Sequence, residues 1–243
     1  MLDTEEFYAR RVRSRPERIN AFLDIVKGGR YLEIGVHKGK TFHKIQASHK
    51  VGVDPKFMFD TAEYSSDSTE FWEITSDEFF ARVAPRYDKF DVIYLDGLHT
   101  FEQVFQDLIT SLSYCHDDTI ILIDDTVPVN VASFQKTPND CSLLREELGI
   151  NDKAWMGDVC KVVIAIKEFM PAWSYATFPN HGQTALVKRA RQDFSASINS
   201  LEAISRLSYT EYLTLKKEGA FNIFETDDQV IARIRDLLAD GQE

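Results

Sequence analysis

The run Tyr31-Leu-Glu-Ile-Gly-Val-His-Lys-Gly39 limits the fold more than any other stretch of this chain. Tyr31, Leu32 and Ile34 have the aromatic, apolar and β-branched character of a buried strand. Gly35 and Gly39 remove side chains where backbone must approach a ligand closely. Lys40-Thr41-Phe42 then opens a helix. A strand, a tight turn and a helix in that order make the turn a binding crevice at the carboxyl end of the first strand of an open parallel sheet, suited to a nucleotide-like ligand.

The ligand class follows from the glycines and the acids. A dinucleotide site uses G-x-G-x-x-G, three glycines that pack a helix against a pyrophosphate. Here the pattern is Glu33-x-Gly35-x-x-x-Gly39, one glycine short and with an added acid. Further on, Val51-Gly-Val-Asp54-Pro55 reads as an apolar strand ending in an aspartate, whose carboxylate can accept both ribose hydroxyl hydrogens. Glu33-Ile-Gly35-Val-His-Lys-Gly39 followed by Asp54 resembles the first two motifs of class I S-adenosylmethionine-dependent methyltransferases. The resemblance implies a Rossmann-like α/β fold, a mostly parallel seven-stranded sheet of order 3-2-1-4-5-7-6 with helices on both faces. It also implies that the turn from Gly35 through Val36 to Gly39 passes the methionine part of S-adenosyl-L-methionine, with Glu33 near its amino group and Asp54 on the ribose.

The rest of the chain supplies the remaining strands. Phe71 to Thr75 reads as a third strand and Ser76 to Phe80 as a helix start. In the resembled family the residues after this strand contact adenine, which makes Ser76 and Asp77 candidates; Ser76 serves equally well as a helix N-cap. Phe90 to Leu95 is a fourth strand ending in Asp96. Thr100 and Gln103 have capping-box spacing, and Phe101, Val104, Phe105, Leu108 and Leu112 form one helical face. Thr119 to Ile123 is a fifth strand, ending in Asp124-Asp125. Pro128 to Asp140 is polar and rich in turn formers, the composition of a substrate loop. Trp155 opens a helix through about Phe169, and Trp173 to Phe178 with Thr184 to Val187 form a hairpin. In the resembled fold the sheet ends in such an antiparallel pair.

Residues 1–190 therefore read as one methyltransferase domain with an N-terminal helical cover, and 191–243 as a C-terminal helical extension. In that extension Thr226 and Gln229 have capping-box spacing ahead of an apolar stripe of Val230, Ile231, Ile234, Leu237 and Leu238. The stripe needs burial on its own domain or on a second subunit, the one argument for a homodimer.

Chemistry concentrates at two strand ends, with Asp96 after the fourth strand and Asp124 and Asp125 after the fifth. Neighbouring strands lie about 4.8 Å apart, so these carboxylates converge. Clustered acids repel unless a positive charge sits among them. An all-oxygen group suits a hard cation, Mg2+ before Mn2+ or Ca2+; the other reading is that Asp124 and Asp125 solvate a loop and Asp96 caps a turn. The placement is similar to that of cation-dependent O-methyltransferases. Tyr94-Leu-Asp-Gly-Leu-His-Thr-Phe101, Asp124-Asp125 and Trp155-Met-Gly-Asp-Val-Cys-Lys161 resemble the sugar and small-molecule O-methyltransferases grouped with macrolide-sugar methyltransferases and cephalosporin-hydroxylase-like proteins. That likeness covers about residues 28–190, with Cys160 where the group more usually has a bulky aromatic.

His99, three residues beyond Asp96, has an ordinary pKa near 6.5 and can accept a hydroxyl proton; similarity to the macrolide-sugar enzymes makes it the base, with Asp96 beside it at both cofactor and metal. His37, His43, His49, His116 and His181 read as surface or packing residues, and Trp72, Trp155 and Trp173 as core. Asp158 is either the N-cap of its own helix or a residue near the substrate, with Lys161 undecided.

Composition sets outer limits. The chain is 44% hydrophobic and 28% charged, the balance of a soluble globular protein. A net charge of -11 argues against non-specific nucleic-acid binding, which needs lysine and arginine against phosphates. Cys115, Cys141 and Cys160 fit packing in a reducing compartment. There is neither an export signal nor a membrane-length apolar run, so a cytoplasmic protein with no membrane partner is expected. The reading is an O-methyltransferase acting on a small-molecule or sugar hydroxyl. Its rivals are a methyltransferase-like binding or scaffold protein without turnover, and a nicotinamide-dependent oxidoreductase, which the missing glycine disfavours.

Overall fold

Seven strands, β1 (Arg30–Ile34), β2 (His49–Val53), β3 (Thr69–Trp72), β4 (Phe90–Leu95), β5 (Cys115–Ile123), β6 (Ser174–Thr177) and β7 (Thr184–Val187), form one sheet of order β3-β2-β1-β4-β5-β7-β6. The first five run parallel, and β7 is antiparallel to both its neighbours. The architecture comes from a computed structural model that describes residues 12–180, 182–192 and 194–240. The helical cover expected from residues 1–28 and the packing role given to His181 thus lie partly or wholly outside the described residues.

The central strands are apolar on both faces, as a sheet covered on both sides requires. The helices that cover it are α1 (Arg15–Val26), α2 (Phe101–Ser111), α3 (Pro138–Leu148), α4 (Cys160–Phe169), α5 (Leu201–Ser205), α6 (Tyr209–Lys217) and α7 (Asp227–Ala239). Side chains alternate across the strands. Ile93 and Leu95 of β4 pack with Val104 and Leu108 of α2 and with α4, whereas Val92 and Tyr94 face the opposite core with Ile19 and Phe22 of α1 and Ile234 of α7. The C-terminal stripe is therefore buried on the chain's own sheet: Val230 and Ile234 are fully covered, and Ile231, Leu237 and Leu238 nearly so. The face is used up within one chain and gives no ground for a homodimer. Among the described residues no helix is long and apolar enough to cross a membrane.

Register positions the site. Ile34 pairs with Leu95 and Leu95 with Ile123, so β1, β4 and β5 stop at one level. The amide of Asp96 donates to the Ile34 carbonyl at 2.8 Å and that of Asp124 to Leu95 at 3.0 Å. Whatever follows these strands must emerge side by side.

Four local expectations change. The helix expected from Lys40 is only a 3-10 turn, Phe42–Lys44, because residues 35–48 must also wall the cavity and return to β2; Phe42 and Ile45 reach the core from that single turn. The third strand begins at Thr69 and stops at Trp72, paired with Val53. Thr75 caps the helical turn that follows, accepting from the Glu78 amide, so Ser76 is not the N-cap. The loop expected over 128–140 ends in α3, whose signals are Thr137 at the N-cap, Pro138 at the first turn and Gly149 in the left-handed position beyond its end.

Candidate active site

At the carboxyl ends of the parallel strands lies a cavity of about 790 Å³. Its walls follow the strand order. Ser76 and Asp77 come after β3, Asp54 ends β2, and Glu33, Gly35 and Val36 form the β1 turn. Asp96 and His99 follow β4, and Asp125 follows β5. Gly39 and Asp124 are absent from the wall: Gly39 closes the β1 turn through its amide to the Val36 carbonyl, and Asp124 is buried behind it.

Gly35 has φ 91°, and a Cβ there would lie 1.9 Å from the Asp96 carbonyl oxygen. The glycine is thus demanded first by the close approach of the β1 and β4 turns to each other, and only through that by a ligand. Asp54 ties the crevice together: Oδ2 accepts from the His37 amide and Oδ1 from the Lys56 amide, both at 2.8 Å. Each carboxylate oxygen keeps a further lone pair for a hydroxyl. Glu33 is fully buried and accepts from the Tyr31 hydroxyl. Burial pushes its carboxyl up to about 8, with the Tyr31 hydroxyl and the Lys50 charge opposing the rise. Ser76 and Asp77 both accept from Gln103 Nε2, at 3.2 and 3.0 Å. Gln103 lines the cavity as well, and its side chain is taken by these bonds rather than by closing a capping box with Thr100.

The acids after β4 and β5 divide into two groups. Asp96, His99 and Asp125 present ligand atoms within 4.8 Å of one another. His99 Nδ1 lies 3.0 Å from Asp125 and Nε2 3.5 Å from Asp96. Burial alone would lower its pKa, but the bond to Asp96 and the charge of Asp125 lift it to about 9. Asp125 is pushed up to about 6 by burial, against the pull of His99. Its backbone is left-handed at φ 57°, a conformation that aspartate tolerates better than most residues and that turns its side chain towards His99.

Asp124 departs from the all-aspartate group expected from sequence. Its Oδ2 accepts from the Tyr94 hydroxyl at 2.7 Å and pairs with Arg15 Nε at 2.5 Å. Burial and the charges of Asp96 and Asp125 push its carboxyl up, and Arg15 and Tyr94 hold against that rise. Burial weighs against the Arg15 charge, but Asp124 and its neighbours outweigh it and the guanidinium is raised. β5 ends at Ile123, and the left-handed backbone of Asp125 sends its side chain towards His99 while Asp124 stays on Tyr94 and Arg15.

Three neighbours escaped the sequence. Arg15, in the first turn of α1, lines the cavity together with Lys38 and Lys40 and is the cation paired with Asp124; no spacing connects it to the strand ends. Trp155 is a wall residue rather than core, stacked on the His99 ring at 4.9 Å. Gly157 allows that loop to lie against His99, since a Cβ there would be 1.7 Å from the His99 carbonyl oxygen. Asp158 does not cap its own helix: α4 has Val159 at its N-cap, and Asp158 Oδ1 accepts from the Phe101 amide at 2.7 Å, capping α2 instead. Its other oxygen pairs with Lys161 at 3.0 Å, and Lys161 also donates to the Ser205 carbonyl. The two residues join α2, α4 and α5 and do not reach the cavity. His37 lies exposed at the mouth; His43 stacks on Tyr64, and His49 and His116 pair with Glu70 and Asp91. Cys141 and Cys160 are buried, Cys115 is partly so, and all three are free.

Residues 32–126, which carry most of β1, all of β2 to β5 and the acids that line or back the cavity, match the family model of a methyltransferase domain. No match was found among curated proteins. Among solved structures, a protein described as a "putative caffeoyl-CoA O-methyltransferase" from Staphylococcus aureus superposes with TM-score 0.52 at 12% identity, covering 76% of this chain and 88% of its own. The methyltransferase PaMTH1 of Podospora anserina, solved with SAH bound, gives 0.51 at 16% identity, with 74% and 80% covered. At these identities the likeness is one of fold. Taken with the family match over residues 32–126 and the strand order, it gives this chain the class I methyltransferase fold.

Proposed function

We propose that the protein transfers a methyl group from S-adenosyl-L-methionine to a hydroxyl of a small molecule or sugar. One observation carries this: a single cavity joins Glu33, Asp54 and Asp77 across β1 to β3 with Asp96, His99 and Asp125 across β4 and β5. The first group suits a cofactor with an amino group, a ribose and an adenine, and its acids sit in the order in which that cofactor would present them. The second is the only set of three convergent His, Cys or acidic ligand atoms among the described residues. The Podospora anserina neighbour, solved with SAH, supports the cofactor part of the reading.

When bound, the cofactor supplies a methyl group already activated on a positively charged sulfur. The chain's tasks are then to align the acceptor oxygen and to remove its proton. In its neutral form His99 takes the proton: Asp125 and the Trp155 carbonyl hold the ring through Nδ1–H, and Nε2 beside Asp96 is the edge that reaches the acceptor. A pKa of about 9 puts this working form on the alkaline side. Trp155 lies flat on the imidazole and shields it from water.

A divalent cation fits the same residues. Asp96 and Asp125 supply carboxylate oxygens; Asp124 lies outside their 4.8 Å group, with its Oδ1 buried and without a hydrogen-bond partner among the described residues. Such an ion would orient the hydroxyl and lower its pKa. Because His99 lies within the same 4.8 Å group, a second arrangement has it as a ligand as well. Two carboxylates and an imidazole would then favour Mn2+ or another first-row ion over Mg2+.

The test is thermal unfolding with S-adenosylhomocysteine, with NAD and with neither, followed by a methyl-transfer assay over hydroxyl acceptors. S-Adenosylhomocysteine at one hundred times its dissociation constant should add about 2.7 kcal/mol. A shift with NAD alone would turn the reading to an oxidoreductase, and no shift with either would turn it to a scaffold protein.

A further inference from the structure

Behind the cavity a chain of buried polar side chains runs from the C-terminal helix to Asp124. Asp227, at the start of α7 and 1% exposed, accepts from Arg18 Nε at 3.0 Å and Nη2 at 3.1 Å. Arg18, wholly buried in α1, donates from Nη1 to Gln183 Oε1 at 2.8 Å. Gln183 Nε2 donates to the Tyr94 hydroxyl at 3.3 Å, and that hydroxyl donates to Asp124 Oδ2 at 2.7 Å. Gln183 and Tyr94 are both fully covered.

The direction of this chain is dictated by its ends. A guanidinium has donors only, so the amide oxygen of Gln183 must face Arg18 and its nitrogen must face Tyr94. The hydroxyl therefore accepts from Gln183 and has its one proton left for the far side. There Asp124 is the nearer acceptor, with Asp96 Oδ2 at 3.3 Å the farther. Arg15 reaches the same Asp124 oxygen from the first turn of α1, so one helix touches this carboxylate by two routes, directly and through Gln183 and Tyr94. Nothing in the methyl-transfer reading needs Arg18, Gln183 or Asp227 near the substrate.

We infer that Gln183 is a positioning residue, which, oriented by the Arg18–Asp227 pair, aims the Tyr94 proton at Asp124 and so fixes the buried carboxylate that backs the wall of the cavity. The inference rests on the reading of the cavity as a methyl-transfer site. It gives α7 a role at that site although no residue of α7 lines it.

Gln183→Glu tests the direction. A carboxylate at this position keeps the pair with Arg18 but can only accept, so it draws the Tyr94 proton away from Asp124. Tyr94→Phe removes the hydroxyl at nearly constant volume, and in protein labelled with 13C at the tyrosine ζ carbon it assigns the Tyr94 resonance. In Gln183→Glu that resonance should move. The turnover number kcat should fall about tenfold to a hundredfold, the range for loss of a partner that orients a site ligand. KM, S-adenosylhomocysteine affinity and Tm should stay near wild type, and Tyr94→Phe should reproduce the loss of kcat. An unmoved Tyr94 resonance, an unchanged kcat, or a kcat that falls only in step with KM and Tm would overturn the inference. If the wild-type protein methylates no acceptor, the functional reading fails, and the Tyr94 resonance alone decides whether the chain has the stated direction.

Discussion

His99 faces two carboxylates and therefore holds its proton to higher pH than an ordinary histidine. Its folded pKa of about 9 lies above the ordinary value of about 6.5, so its contribution to stability is full below 6.5 and is lost as pH rises through 9. The difference in unfolding free energy between wild type and His99→Gln should accordingly shrink from pH 6 to pH 9.5, as followed by urea titration. A difference that does not change with pH would mean that the ring is not charged in the folded protein. In the same variant kcat should drop by about a hundredfold to ten-thousandfold, the usual contribution of a positioned base. S-Adenosylhomocysteine affinity should hold, because on the proposed reading that ligand takes the β1 to β3 half of the cavity. Full activity would remove His99 from proton transfer.

At the scale of elements, α7 behaves as part of the sheet's cover. Its apolar stripe lies against β6, β7 and α1, and Ile234 is fully buried there. Removing that side chain to alanine should cost about 2–5 kcal/mol, read from the denaturant midpoint. A cost under about 0.5 kcal/mol, the level of an ordinary surface change, would mean that the helix is detached in solution. The capping box from Thr226 to Gln229, complete in the structure, starts α7 where its first residue, Asp227, meets Arg18. Helix start and buried ion pair thus locate each other.

For the whole molecule, the net charge of -11 matters less than where the acids gather. Asp96 and Asp125 raise the cost of ionising Asp124, Asp96 does the same to Asp125, and the described positive charges that oppose this are Arg15 and protonated His99. A divalent cation that binds only the folded state should therefore raise Tm. Mn2+ or Mg2+ should do so in the wild type and not in Asp125→Asn, a variant that suits the left-handed backbone at this position. Persistence of the shift in His99→Gln would assign the ligands to carboxylates alone; its loss would place His99 in the ligand set. Equal shifts in wild type and Asp125→Asn would put the ion elsewhere.

The sequence by itself determined most of the strands, and the resemblance of its motifs to class I methyltransferases implied their order and most of the cavity wall. The strands and turns are local features: a buried strand needs a short apolar run, and a turn that crosses close to its neighbour needs glycine, so β4, β5, the hairpin and the Gly35 turn were all legible. The cap that starts α7 was legible for the same reason, and α3 would have been, from Thr137, Pro138 and Gly149. Tertiary structure alone decided which acids meet. Asp124 and Asp125 are adjacent in the chain, yet the left-handed turn at Asp125 sends it forward to His99 while Asp124 stays back on Tyr94 and Arg15. It also decided that Asp158 caps a helix other than its own, that Trp155 covers the imidazole, and that Arg18, Gln183 and Asp227 form one chain behind Tyr94. These are contacts between residues dozens to hundreds of positions apart. Their partners are chosen by how the two faces of the sheet are covered, and no periodicity or spacing along a single chain encodes that choice.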